Sequence, residues 1–188
     1  MGITQTTVTE ALAELKTLGK RIEKKQGYIA GFLARQEGLK DPLEKDGGSA
    51  EVIRRELQGI GDLNRRRVNI RIAIQQSNHT TMVTIGDTTR TVAEWLTWRK
   101  EIAPDEQAFV NKMRMAAASA RDQAQKKGWG VVSAVAVNQQ GETKPTDIVI
   151  NVDEGALARE AERLEEVLGT LDGKLSLLNA TTVIPVEG

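Results

Sequence analysis

Two long stretches of this chain carry apolar residues at every third or fourth position, and that spacing limits the fold more than any other feature. Ala11, Leu15, Leu18, Ile22, Ile29 and Phe32 follow it in the first stretch, and Ile53, Leu57, Ile60, Leu63, Ile70 and Ile74 in the second. Such a spacing places one apolar stripe along a helix, and two stripes of this length bury each other. The expected start is a long antiparallel helical hairpin. Its first helix is expected from Thr7 to Gln36, with Thr7 and Glu10 as a capping box. Lys25 interrupts the seam, a device that fixes register at a cost in stability. Residues 37–48 read as a loop, Ser49 as the cap of a second helix, and Ser77 as its end. Val68, Ile70, Ile72 and Ile74 also alternate with polar residues, as in a strand. The helix is preferred because no breaker precedes them.

The rest of the chain alternates short β signals with two further helices. Met82–Ile85 and Thr88–Thr91, around Gly86-Asp87, read as a β-hairpin. Thr91 and Glu94 form a second capping box. A third helix follows, with Val92, Trp95, Leu96, Ile102, Phe109 and Met113 on its buried stripe. Pro104 kinks or restarts it, and Lys126-Lys127-Gly128 ends it. Val131–Val137 and Asp147–Val152 read as a second hairpin around Asn138-Gln139-Gln140-Gly141. Asp153 caps a fourth helix with Leu157, Leu164, Val167, Leu168, Leu171, Leu175 and Leu178 on its apolar positions. Thr182-Val183-Ile184 reads as a closing strand. The fold class is therefore α+β, mainly α: one domain over 1–188, with a helical hairpin at 1–77 and a hairpin-and-helix body at 78–188.

Composition excludes several functions. Lys plus Arg and Asp plus Glu are both 26, so no positive excess supports general nucleic-acid binding. The balance is uneven. Residues 1–100 carry 17 basic and 12 acidic side chains, and residues 101–188 carry 9 and 14. Pairing of the two halves, within the fold or across subunits, accounts for this. With no cysteine, disulfides and thiolate metal sites are impossible. His79 is the single histidine, so zinc-ligand spacing is absent; a serine triad could use only His79, no G-x-S-x-G elbow accompanies it, and it reads as a hydrogen-bonding residue at a helix end. No P-loop or dinucleotide glycine pattern is present. No metal or cofactor is expected, and no enzyme. No apolar run spans a membrane and no signal pattern opens the chain, which places it in the cytoplasm, of a bacterium or of a phage-infected host.

Three segments in order resemble a small bacterial family labelled septicolysin-like, whose biochemical role is not established. They are Ala11-Leu12 through Lys20-Arg21-Ile22; Leu63 through Asn78-His79-Thr80-Thr81, with Gly86-Asp87 and Thr91-Val92-Ala93-Glu94; and Asn151-Val152-Asp153 through Leu171-Asp172 to Leu178-Asn179-Ala180-Thr181. The match covers most of the chain. It departs at Ala180, where the family carries a tryptophan after the asparagine. The resemblance implies paired helices bearing a hairpin-containing helical body, and an oligomer. The family label implies a lysin, but nothing in these residues supports membrane insertion.

Two polar clusters are the candidate site. Asn64, Arg67, Arg71, Gln75 and Asn78 share one helix face that leads to His79, with Arg65 and Arg66 beside it. Guanidinium groups match phosphate or carboxylate through paired hydrogen bonds. The second cluster is Trp95, Trp98, Arg99 and Lys100, preceded by Arg90: indoles for stacking beside cations for an anion. Each has a structural alternative. The arginines also suit the acidic fourth helix, and Trp95 also suits the core and Trp98 a half-buried interface. The two clusters are expected to converge at the hairpin end.

The favoured function is a non-catalytic homo-oligomeric protein that sequesters a small anionic ligand such as a nucleotide signal, as a phage anti-defence sponge would. The alternative is a virion or scaffold component acting through protein contacts. Residues 67, 71, 75, 78, 79, 90, 95, 98, 99 and 100 carry the ligand in the first reading.

Overall fold

A computed structural model describes residues 2–134 and 146–187. The order is β1 (Ile3–Thr7), α1 (Val8–Ala30), a 3-10 turn (Glu44–Asp46), α2 (Ser49–Thr80), β2 (Met82–Ile85), β3 (Thr88–Thr91), α3 (Val92–Thr97), a π turn (Trp98–Ile102), α4 (Ala103–Lys127), β4 (Val131–Ser133), β5 (Ile148–Ile150), α5 (Glu154–Thr181) and β6 (Val183–Glu187). It is a mainly helical α+β chain, as expected. It divides into two compact units. One holds the residues up to Thr81 and those from Leu175 onward; the other is Met82–Lys174. The sequence boundary at 77/78 lies close to this division. Missing from the sequence reading was the return of the C-terminal residues to the first unit.

In the first unit α1 and α2 form the antiparallel hairpin. Glu14 meets Arg66 and Lys25 meets Glu56, so climbing α1 descends α2. Val8, Ala11, Leu18, Ile70, Ala73, Ile184 and Val186 make its core, with Leu15, Leu63 and Ile74 packed against them. The ambiguous stretch is helical for a visible reason. Ile70 and Ala73 are buried, whereas Val68 is 54% exposed and Ile72 46%. A strand would have put Val68, Ile70 and Ile72 on one face. Lys25 does bridge the seam: its Nζ lies 2.5 Å from Glu56 Oε2, with both side chains half-buried.

Three sequence expectations change here. α1 stops at Ala30, not Gln36, with Gly31 as its C-cap. Beyond Phe32 the residues up to Gln36, Leu33 among them, are exposed, so a longer helix would add no buried apolar residue. Ser49 is the first residue of α2 and not its cap. Its amide and hydroxyl donate to Asp41 at 2.9 and 2.6 Å, so Asp41 clasps the helix start from the loop. Residues 3–7 form a strand the apolar pattern did not reveal, antiparallel to β6 from Ile3↔Glu187 to Thr7↔Val183.

In the second unit β2 and β3 pair antiparallel as expected. Gly86, with φ +54, supplies the left-handed residue that a two-residue hairpin loop needs at its first position. Thr91 caps α3 reciprocally with Glu94. Pro104, without an N–H, cannot continue the helical ladder. The chain answers with a π turn over Trp98–Ile102 before α4 begins. Val92 and Trp95 are buried as expected and Leu96 is half-buried, but that turn breaks the expected stripe beyond it. A π turn inserts one residue, which shifts the helix phase. Ala103, Val110, Ala117 and Ala124 are buried instead, and Phe109 is 61% exposed. The expected second hairpin is also corrected. β4 and β5 pair in parallel, Val131↔Ile148 to Ser133↔Ile150, which no tight turn can connect. Gly130 holds them close, since a Cβ there would lie 2.5 Å from Asp147 Oδ1. The Asn138–Gly141 loop and the end of the expected Val131–Val137 strand lie outside the described residues. Asp153 accepts the Ala156 amide at 3.0 Å, capping α5 as expected.

Candidate functional site

The ten sequence-stated residues fall in different units, and each group is described within its own. On α2 in the first unit, Arg67 is half-buried and donates to Asn64 Oδ1 at 3.4 Å. Arg71, Gln75 and His79 are exposed, with His79 in the last turn; Asn78 is half-buried. Their neighbour Arg66 is fully engaged. It forms two hydrogen bonds to Glu14, at 2.8 and 3.1 Å, and a third to the Glu187 carbonyl at 2.8 Å. The Glu14 hydrogen bonds raise its already high pKa further, against the opposing effect of partial burial. Much of the arginine face is thus bonded within its own unit or standing in solvent.

In the second unit the hairpin and helices enclose a cleft of about 550 Å³. Ile85, Gly86, Asp87, Thr88 and Arg90 come from the hairpin, Trp95 and Trp98 from α3 and the π turn, Glu106 from α4, and Arg163, Glu166, Val167 and Thr170 from α5. Trp95 organises it. Its indole N–H donates to the Val83 carbonyl at 2.9 Å, which ties α3 to β2. Trp98 meets it edge to face, with centroids 5.5 Å apart at 86°. The Arg90 guanidinium lies 4.9 Å above the Trp95 ring. At 3% and 8% exposure, the indoles form the wall and floor and offer no open stacking platform. Trp95 is thus a core residue, as the structural alternative has it, whereas Trp98 is buried and not half-buried at an interface. Their place beside the cleft and beside Arg90 remains.

Arg90, Trp95 and Trp98 line the cleft, and Arg99 and Lys100 do not. Arg99 pairs with Asp172 at 2.5 Å, and Lys100 is exposed on the π turn. Sequence reasoning missed Arg163, Glu166 and Glu106. Arg163 bonds Glu160 at 2.8 and 2.6 Å, and those bonds raise its pKa, with the nearby Glu106 charge adding to the shift. Glu106 reads in sequence as a first-turn acid favoured by the helix dipole. Its Oε2 is closed to solvent and has no hydrogen-bond partner among the described residues. No sequence signal separates it from the adjacent Asp105; only the packing does.

The cleft is therefore of mixed sign. Arg90 and Arg163 suit an anionic group, and Glu106, Asp87 and Glu166 suit N–H or O–H donors. Among the described residues no group of three or more His, Asp or Glu is placed to hold a metal ion. No helix among them is long and apolar enough to cross a membrane.

No protein-family model matches the chain, and a comparison with curated proteins finds no match. Among solved structures it is similar to the crystal structure of a functionally unknown conserved protein from Corynebacterium diphtheriae, at 17% identity and a TM-score of 0.48, over 96% of this chain and 99% of that one.

Proposed function

We propose that the chain is a non-catalytic binding protein that sequesters a small anionic ligand, of which nucleotides are the leading class, in the cleft of its second unit. One observation carries the reading: a cleft of about 550 Å³ with the Arg90 guanidinium held over Trp95 at its wall. Ligand sites commonly enclose roughly 300–1,000 Å³. A guanidinium resting on an indole is pre-oriented and only partly hydrated, so it gives up little to meet a phosphate or carboxylate. Arg163 adds a second cation on the facing helix. The helix-two residues have no part in the proposed site, because three hydrogen bonds already hold Arg66, Arg67 donates to Asn64, and Arg71, Gln75 and His79 stand exposed.

The test is thermal denaturation with a nucleotide panel, preceded by mass spectrometry of small molecules released from the purified protein by heat. Nucleotides are expected to raise Tm in the parent protein and not in Arg90→Ala. A panel without effect on either protein contradicts the reading.

A second reading, an assembly protein acting through self-association, has its own support. Leu33, Phe109 and Met115 are 60% exposed or more. Large apolar side chains in water favour burial against a partner. Light scattering separates the two: a monomer that binds nucleotide supports the first, and a ligand-free polymer supports the second.

A further inference from the structure

The cleft leaves one group unserved, and that group specifies what the ligand must carry opposite its anionic end. Glu106 Oε2 is closed to solvent and bonds to nothing among the described residues. Each oxygen of a carboxylate accepts two hydrogen bonds, so an oxygen without any is a large deficit. The cation coupled to its charge does not remove the deficit. Arg163 is committed to Glu160 by two short hydrogen bonds and contributes charge alone. The helix dipole at the start of α4 offsets part of the charge but supplies no hydrogen bond to Oε2. Packing alone would be better served by Gln or Met at this position.

Taking the cleft as the ligand site, we infer that Glu106 is its specificity residue, an acceptor for a planar N–H donor edge on the ligand, with Arg90 receiving the anionic end. Rotation about the last side-chain dihedral of Glu106 exchanges its two oxygens without moving the backbone, and this torsion is soft. A full exchange would leave the same buried position unserved, whereas a partial turn about this torsion brings both oxygens toward a pair of donors in the cleft. A carboxylate bridges two adjacent N–H groups best, which is the pattern of a guanine edge. An adenine edge sets an acceptor beside its donor, and a uracil edge flanks its single donor with acceptors; both repel a carboxylate. The ligand class is therefore a guanine-type nucleotide, or another anion with paired N–H donors.

The experiment compares GMP, AMP, UMP and inorganic phosphate by thermal shift on the parent protein, Glu106→Gln and Arg90→Ala. GMP is expected to stabilise the parent most. Glu106→Gln is expected to raise the ligand-free Tm by about 3 °C, because a buried charged oxygen is replaced by a neutral one. It is also expected to weaken GMP about tenfold and erase the preference among bases. Arg90→Ala is expected to weaken all three nucleotides alike. Equal nucleotide shifts in the parent, or a GMP shift that survives Glu106→Gln, overturn the assignment to Glu106 and leave the cleft as the ligand site. An unchanged or lowered ligand-free Tm in Glu106→Gln overturns it as well. Silence from all probes on all proteins removes the cleft reading, and the assignment with it. If Glu106→Gln fails to fold by circular dichroism, Glu106→Asp replaces it, with loss of the GMP preference as the supporting result and its retention as the overturning one.

Discussion

Both units pair cations with carboxylates, in the second Arg99 with Asp172 and Arg121 with Glu154, and they differ at the cleft of the second. In the first, cations meet carboxylates across the helical hairpin: Arg66 with Glu14, and Lys25 with Glu56. In the second, Arg90 rests on an indole and Glu106 keeps an orphan oxygen beside a cleft. Gross charge would have pointed the other way. The first unit holds 14 basic and 11 acidic side chains, and the second 12 and 15. An anion site in the second unit would therefore rest on local geometry and not on net charge. Charge that has found its partner builds structure, and charge held back from a partner is available for a ligand.

The sharpest way to break this comparison is to damage each core separately. Ile70→Ala in the first unit and Leu164→Ala in the second each remove a fully buried side chain. Each is expected to cost about 3 kcal/mol in urea denaturation. If the cleft belongs to the second unit alone, the surviving Ile70→Ala protein keeps its nucleotide-induced Tm shift, and Leu164→Ala loses it. A smaller effect is expected from Arg66→Met, which leaves Glu14 without its donors from Arg66 and the Glu187 carbonyl with Asn69 alone. About 1–2 kcal/mol of stability should go, with ligand response intact. Loss of ligand response there would mean that the first unit's arginines bind after all.

A third prediction concerns the clasp at the start of α2. Ser49 hydrogen bonds, from side chain and then backbone, hold the Asp41 carboxyl at about 2, below its ordinary 3.8, aided by the Leu43 amide. The folded pKa is the depressed one. The stabilisation from the clasp is therefore full above about 3.8 and is lost as pH falls through about 2, where the carboxyl itself titrates in the folded protein. The Ser49 amide resonance should follow that titration, and it should not in Asp41→Asn. The smallest effect is expected from Arg71→Ala. This exposed residue should change stability by less than about 0.5 kcal/mol and ligand response not at all.

Much of the architecture was legible because long helices announce themselves. The apolar spacing located α1, α2 and α5, and both threonine capping boxes lie where Thr7-x-x-Glu10 and Thr91-x-x-Glu94 put them. β1 was not legible, because Ile3 is its single large apolar residue and is itself exposed. Its three threonines and one isoleucine were the available β signal. The α4 stripe was misread because periodicity assumes an unbroken helix, and the π turn before Pro104 adds a residue to the phase. The parallel β4–β5 pair was misread because alternation reveals strands and not their direction.

The site was legible only in part. Arg90, Trp95 and Trp98 stand next to the capping box that fixes the hairpin to α3, so local sequence was enough to group them. Arg163, Glu106 and Glu166 reach the same cleft from helices distant in sequence, and no spacing rule links them. The arginines of α2 looked more compelling in sequence than Arg90, because spacing displays neighbours along a helix and conceals partners across it.

The central claim is that the second unit's cleft takes the ligand. Its three tryptophans test this directly, since Trp95 and Trp98 line the cleft and Trp129 does not. In a ¹⁵N-labelled sample each indole N–H gives its own resonance. On titration with GMP, the Trp95 and Trp98 resonances are predicted to move together and saturate while Trp129 stays in place. Indole resonances that stay fixed while α2 amides around Arg67 and Arg71 shift would contradict the account.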